Sequence, residues 1–545
     1  MNTRNMFASA AVLGALTISM SAAQAQQVPT LLDPTLKLET LVTTTTTGIP
    51  IATSMVFVNS TDFIVTTKSL GKITLYTKTG QTPVDLTPVD LTFDIPASTW
   101  TGVAAGNYPN LPVNSISERG LLCVQLHPDF ATNKYVYTYA TESSTGANVI
   151  QAGNSATALE LSSVVPLGNR VDRWIYDATN KKLVFDMNII KLQALQPVDS
   201  TGGNTTLRGN HNGGIIRFEK KVTGQSAKMF IVIGDNGRRG LMQNLEYGPT
   251  TGTTRIADVG SFGPEPDNRA LTGVVIRLND DGTIPTDNPF YNHSLTFSGQ
   301  TDAGLQNEAV ANLKRVYAYG IRNSFGMAID PFTGKLWESE NGDDAMDEIN
   351  VIGSGFNGGW IQFMGPKSRI GQFKSIEAAQ STVSLGNQNR YPVSNIAATT
   401  AIGESRLVNI PGATYGDPVF SWKYCIAPNA IGFINGNGLG AKYNGNLIVG
   451  SARGNNGNTA GANAYGVLYR FVPNATRTGL QFADRLLTDK VADNTTKGGM
   501  SEQSTVLFGT GFNIVTDVIT APDGSLYILG MTSGGAGNIF RITKK

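Results

Sequence analysis

One pattern recurs six times along this chain: a small residue, an alternating apolar strand, a turn rich in Pro, Gly, Asn or Asp, and a second alternating strand. It reads SMVFVNSTDFIVTT from Ser54, GLLCVQLHPDFATNKYVYTYAT from Gly120 and GGIIRFEKKVTGQSAKMFIVIGD from Gly213. It returns as GMAIDPFTGKLWESE from Gly326, AIGFINGNGLGAKYNGNLIVGS from Ala430 and DVITAPDGSLYILG from Asp517. A period of two on both sides of a turn is the mark of a β-hairpin. Several hairpins run on into a further strand, as in NRVDRWIYD (169–177), GVVIRLNDDG (273–282) and YGVLYRFVP (465–473). Six such units, unevenly spaced by loops, predict an all-β, six-bladed β-propeller. Radial closure hides the strand edges of such a fold. The segment TLKLETLV (35–42) is expected to add a strand to the last blade and close the ring. Two sandwiches would not explain why the six hairpins resemble one another. The Ser/Asn/Ala-rich stretch from roughly 365 to 420 has no strong period and reads as a long loop insertion over one face.

The first residues, MNTRNMFASAAVLGALTISMSAAQAQQ, combine an early Arg4, a short apolar run and a small-x-small site at Ala23-Gln24-Ala25. This is the pattern of a secretory signal peptide over residues 1–25. The propeller is then expected over 26–545, in a secreted or periplasmic protein without a membrane span. Lys plus Arg number 42 and Asp plus Glu 41, so the chain lacks the basic excess that nucleic-acid binding needs. The two cysteines, Cys123 and Cys425, match no metal spacing, and export permits a disulfide without requiring one.

Candidate chemistry concentrates ahead of two inner strands. In GNHNGG, His211 precedes the third hairpin, and in YGIRNSFG, Arg322 and Asn323 precede the fourth. In a propeller these positions face the same axial region from neighbouring blades. An imidazole suits general-base work near neutral pH, and a structural His bonding a loop carbonyl is the plain alternative. After the fourth hairpin, ENGDDAMDEIN carries Glu340, Asp343, Asp344, Asp347 and Glu348. It reads either as a solvated acidic turn or as hard-oxygen ligands for calcium beside Gly342. His127 and His293 read as structural and surface-loop residues. Arg238 and Arg239 in IGDNGRRG read as an anion site or as solvated charges.

Taken in order, RGLLCVQLHPDF, NHNGGIIRF, IGDNGR, YGIRNSFGMAIDPFTGKLWESENG…DEINVI, LIVGSARG and DVITAPDGSLYIL resemble the soluble pyrroloquinoline-quinone-dependent sugar dehydrogenases over nearly all of the mature chain. The resemblance implies a six-bladed propeller, a quinone over its axis and calcium beside it. It implies His211 as the base that removes a sugar hydroxyl proton while hydride passes to the quinone. Arg322 and Asn323 would stabilise developing negative charge at the quinone carbonyl. Glu118, Asn210 and Arg453 fall at further cofactor positions. Asn341, Gly342 and Asp343 fall at the calcium site, with Asp347 supporting it from below.

The chain departs from the family where Asn210 replaces an Asp, Glu118 a Gln and Arg453 a Lys. Asn341 and Asp343 replace a Gln and a Pro, and Ser368 replaces an Asp of a second calcium site. Ile514 and Thr516 replace two arginines that hold the quinone carboxylates, leaving Arg238, Arg239 or Lys367 to compensate. The expected function is therefore an exported quinone-dependent oxidation of an aldose or related alcohol, with an electron acceptor the sequence does not name. The alternatives are a cofactor-free propeller that binds a ligand or protein, and a calcium-dependent lactonase or esterase.

Overall fold

A computed structural model describes residues 28–545 except 43–50, 81–84, 117, 144–167, 195–209, 237–243, 245–270, 294–309, 381–395, 454–465, 498 and 533–534. The signal-peptide segment and Arg238 and Arg239 lie outside the described residues.

The strands form six sheets. Each is led by the first strand of one repeated hairpin: Ala52–Phe57, Leu121–Leu126, Ile215–Phe218, Ser324–Ile329, Pro428–Phe433 and Ile514–Thr520. Every hairpin pairs antiparallel in the register its turn dictates, as in Ile216↔Ile231 and Met327↔Glu338. The leading strands follow one another in chain order, and Ala52–Phe57 lies beside both Leu121–Leu126 and Ile514–Thr520. The fold is an all-β propeller. Its core is divided into seams, because each sheet must bury both faces against its neighbours. Buried apolar clusters fill the seams between the first and second sheets, the second and third, and so on to the sixth and first.

Closure joins the two ends of the chain. Leu36–Val42 pairs antiparallel with Gly537–Lys544 in the sixth sheet, as the 35–42 segment predicts. The stretch 365–420 is not a plain loop. It holds a 3-10 turn at Lys367–Arg369 and helices Ile370–Gln380 and Thr400–Arg406. Phe373 and Ile376 of the longer helix pack with Met346, Trp360 and Met364 against the fourth sheet. Thr399 caps the shorter helix by accepting from the Ile402 amide.

Leu36 is buried in the seam between the fifth and sixth sheets, whereas Lys37 beside it is exposed. Leu36→Ala is expected to lower unfolding stability by about 2–5 kcal/mol, and Lys37→Ala by less than about 0.5 kcal/mol. Urea midpoints of the two variants check whether this terminal strand is part of the ring's core.

Candidate functional site

His211 leads into the third sheet with φ of 57°, in the left-handed region that costs a non-glycine residue about 1–2 kcal/mol. Two partners hold it there. Its backbone N–H donates to the Glu118 carboxylate from the second sheet. Its Nδ1 lies 2.5 Å from Asp235 Oδ1, at the end of the strand paired with its own. The other Asp235 oxygen accepts from the Trp360 indole at 2.9 Å. An ionised carboxylate only accepts, so Nδ1 is the donor in this contact and Nε2 is the ring nitrogen left facing away from Asp235. His211 and Asp235 are both buried.

Arg322 reaches the same place from the fourth sheet. Its backbone carbonyl accepts from the Asp235 amide at 2.8 Å. Gly234 makes this meeting possible: a Cβ there would lie 2.6 Å from the His211 carbonyl and 2.7 Å from that of Arg322. The buried guanidinium sits over the Trp360 ring at 5.5 Å. It donates to the carbonyls of Asn341 (2.9 Å) and Gly342 (2.8 Å) and to the Asp343 carboxylate (2.8 Å). Burial opposes its charge, but Asp343 and Asp235 outweigh that and raise its pKa. Asn323 is also buried, and its Oδ1 has no hydrogen-bond partner.

The acidic segment is neither a solvated turn nor one ligand set. Ala345–Ile352 is a strand, and alternation splits its carboxylates between two faces. Asp347 accepts the Gly342 amide and, from the approach to the fifth sheet, those of Ile426 and Ala427. It thus holds the 341–343 loop to the approach of the fifth sheet. Glu348 and Asn350 face Glu340 and Glu338 in register on the neighbouring strand. All four are buried, and the Asn350 amide nitrogen lies within 3.4 Å of each carboxylate. One amide cannot neutralise three acids. Burial lifts Glu338 to about 7 and Glu348 to about 8, and raises Glu340 well above the usual range. Asp343 and Asp344 turn instead toward Glu377 of the insertion helix, their oxygens gathering within 4.8 Å. Glu377 accepts the Asp344 and Ala345 amides, and Lys497 pairs with Asp344.

The Asn341 and Gly342 carbonyls expected to bind calcium are therefore turned to the Arg322 guanidinium. A dication on those same oxygens would sit against that fixed positive charge. The carboxylates of Asp343, Asp344 and Glu377 are a second group of hard-oxygen donors, with Asp343 likewise paired to Arg322 and Asp344 to Lys497.

Between the six leading strands lies an axial cavity of about 400 Å³. All six sheets contribute to its wall, among them Glu118, Gly213, Phe325, Asn429 and both Ile514 and Thr516. Glu118 ties it to His211, Phe325 lies two residues after Asn323, and Asn429 contacts Asn341. Ala452 lines it too, with Arg453 the next residue, whose amide donates to the Ile426 carbonyl. Asn210 is partly buried immediately before His211. Lys367 is exposed and pairs with Glu404 inside the insertion, so it stays with the insertion; Ser368 lies in the turn beside it. His127 is held by Asp280, Asp129 and Asn133 as a structural residue. His293 is partly buried, and its Nε2 lies 3.2 Å from the Val310 carbonyl. Both cysteines are free and buried. Sequence reasoning missed Asp235, Trp360 and Glu377. Asp235 lies in the IGDNG stretch singled out for its arginines, and the E-x-E/E-x-N alternation carried the signal for the buried glutamates.

Residues 49–400 match the protein family described as Glucose / Sorbosone dehydrogenase. Quinoprotein glucose dehydrogenase B of Acinetobacter calcoaceticus is 27% identical over 302 residues, 54% of this chain and 51% of that protein. Aldose sugar dehydrogenase YliI of Escherichia coli strain K12 is 30% identical over 241 residues, 44% of this chain and 46% of that protein. The matches thus span about half the length of these relatives. A crystal structure of a glucose dehydrogenase superposes with a TM-score of 0.53 at 19% identity, covering 93% of this chain and 99% of that one, and shares the fold.

The buried glutamates generate a pH prediction. Their folded pKa values lie above the ordinary 4.5, so their stabilising contribution is complete below that value and is lost as pH rises through about 7 to 8. Stability is expected to fall from about pH 4.5 to about 8, by up to about 1.4 kcal/mol per pH unit for each proton the folded state retains and the unfolded state has lost. Glu348→Gln should flatten the slope in urea titrations at successive pH values. An unchanged slope would show that the cluster does not titrate there.

Proposed function

The chain belongs to the glucose/sorbosone dehydrogenase family, and on that premise we propose that it is an exported, quinone-dependent dehydrogenase that oxidises a C–OH group of an aldose or related alcohol. One sheet is read as one blade, giving six. The observation that carries the reading is the joining of His211, Asp235, Trp360 and Arg322, linked to the axial cavity through Glu118. A carboxylate-oriented imidazole is the arrangement of a general base. A buried cation beside it suits developing negative charge.

The cavity fits a flat aromatic cofactor. Its size lies in the range of small-ligand sites, and its wall mixes Ile514, Phe325 and Leu122 with a few polar groups. The buried, unpartnered Asn323 Oδ1 marks a side chain whose hydrogen bonding the protein leaves incomplete. Pyrroloquinoline quinone, when bound, supplies the two-electron oxidant. Glu118, Asn210, Arg453, Arg322 and Asn323 are the residues proposed to hold it. His211 takes the substrate hydroxyl proton at Nε2, and Asp235 stabilises the imidazolium that results. Arg322 has three N–H groups committed to the loop, and its other two are the donors it offers to the reacting centre. Calcium is proposed at this loop on Asp343, Asp344 and Glu377.

The test is dye reduction by purified protein given quinone, calcium and a panel of sugars and alcohols. His211→Ala is expected to lower kcat by roughly 10²–10⁴-fold with quinone affinity retained. Asp235→Asn should lower kcat as well, because it can present the wrong tautomer to the ring. Absence of quinone binding at micromolar concentration would favour the second reading, a cofactor-free binding propeller, for which the neutral Ile514 and Thr516 speak. Calcium should raise the thermal midpoint of the wild type and do so less in Glu377→Gln; equal shifts would remove the carboxylate site.

A further inference from the structure

Asp344 ends the acidic loop just before the strand Ala345–Ile352, and a lysine from a distant segment is set against it. Lys497 pairs its ammonium with the buried Asp344 carboxylate, and the lysine side chain is itself only 21% exposed. Its segment follows Val491–Ala492, which pairs parallel with Ser421 and Trp422 of the fourth sheet. Buried amide side chains pin the segment on both flanks. Asn494 accepts the Tyr424 amide at 2.7 Å, and donates to the Tyr424 carbonyl at 2.9 Å and the Thr496 carbonyl at 3.1 Å. Gln503 donates to the Gly499 carbonyl at 2.6 Å. Tyr424 is the register partner of Ala345, the residue after Asp344. The lysine segment is thus tied to the rung of the sheet next to the carboxylate it pairs with.

Asp343, Asp344 and Glu377 bring their oxygens within 4.8 Å of one another, and Arg322 and Lys497 face them. The two cations are held differently. Arg322 takes Asp343 and also bonds the Asn341 and Gly342 carbonyls, so it is fixed to the loop. Lys497 meets Asp344 as a compact point charge on a flexible stem, which can withdraw without breaking a bidentate geometry. Glu377 commits one oxygen to the Asp344 and Ala345 amides. Its other oxygen, Oε2, is buried with no hydrogen-bond partner among the described residues. A buried carboxylate oxygen in that state is costly, and an ion reaching all three carboxylates would satisfy it.

We infer that Lys497 is a built-in competitor at this site: its ammonium fills the cation position at Asp344, and a divalent ion reaches the three carboxylates only by displacing it. This rests on the proposed function for the identity of the ion, calcium, and on the ion pair itself for the role of Lys497. Two cations at contact distance from one carboxylate repel each other strongly in a buried setting, so occupancy is exclusive. In the metal-free protein Lys497 is the positioning residue that neutralises Asp344 and holds the loop toward Glu377. With calcium bound, the ion takes over that task. The loop whose carbonyls hold Arg322 is therefore set in either state. An ion pair kept for stability alone would lose the same contact on mutation, but calcium would not repair the loss.

The experiment is calorimetric titration of calcium into the full chain after EDTA treatment, comparing wild type, Lys497→Met and Lys497→Arg, with thermal melting of each in EDTA and in calcium. Lys497→Met is expected to bind calcium roughly 10-fold or more tighter than wild type, because a unit positive charge leaves the ion's ligands. In EDTA it should melt below wild type, since Asp344 is left buried and unpaired, and calcium should close that gap. Lys497→Arg keeps the charge and should bind no more tightly than wild type. Adding Glu377→Gln to Lys497→Met should abolish the gain, which assigns it to these carboxylates. Equal calcium affinity of wild type and a folded Lys497→Met would overturn the competition and leave the calcium site standing. A melting loss in Lys497→Met that calcium does not reverse would overturn it too, in favour of a structural ion pair. Tight binding by Lys497→Met with none by wild type would support the competition and overturn calcium as the native protein's ion. Binding by neither would overturn both. None of these outcomes depends on quinone binding, so the dehydrogenase reading stands or falls separately.

Discussion

Asp347 is a fully buried carboxylate surrounded mainly by backbone N–H groups. It takes the Gly342 amide at 2.8 Å, the Ile426 amide at 2.5 Å and the Ala427 amide at 2.8 Å. Burial raises its pKa overall, against the Cys425 thiol and these three amides, which pull it down. Such a group is costly to bury and more costly to leave unpaired. The consequence is positional. It joins the loop after the fourth hairpin to the entry of the fifth sheet, and so fixes where the Asn341 and Gly342 carbonyls point. Those carbonyls hold Arg322, the Arg322 backbone holds Asp235, and Asp235 holds the His211 ring. The imidazole proposed as the base, at the third sheet, is oriented by a chain of contacts that ends on the fifth.

The six hairpins were legible because their signal is local. Period-two alternation around a turn needs no knowledge of distant residues, and each unit reports itself. The closing strand was legible for the same reason. The insertion was not. Its helix IGQFKSIEAAQ has no clean apolar stripe, because one buried position is the acidic Glu377, which serves loop amides instead of a core. The edge pieces Phe356–Asn357 and Thr414–Tyr415 are two residues each, too short to show any period.

The site divides along the same line. His211 and Arg322 could be placed together because both precede leading strands of adjacent units, so repeat register alone brings them to the axis. Asp235 and Trp360 could not, since 125 residues separate the two partners of one hydrogen bond. The acidic segment was recognised as unusual but assigned to one role. Its division follows from strand alternation: Asp347 faces one way, Glu348 and Asn350 the other, while Asp343 and Asp344 precede the strand and meet Glu377.

The fourth sheet carries an uneven share of unfavourable burial. Glu338, Glu340 and Glu348 lie inside it, and Glu338 Oε1, Asn341 Oδ1 and Asn350 Oδ1 are buried without hydrogen-bond partners. The seams on either side are apolar, with Ile321, Met327 and Leu336 on one and Trp337, Ile349 and Trp422 on the other. Stability alone would fill these polar positions with aliphatic residues, since a buried polar group without a partner costs about 1–3 kcal/mol. Their retention in the sheet that positions Arg322 argues for a positioning role. Glu340 accepts the Arg322 amide at 2.5 Å, so the acidic interior is in direct contact with the residue proposed to face the reacting centre. A propeller can carry that cost because its six seams supply stability around the ring, and one sheet can be tuned for chemistry while the others hold it in place.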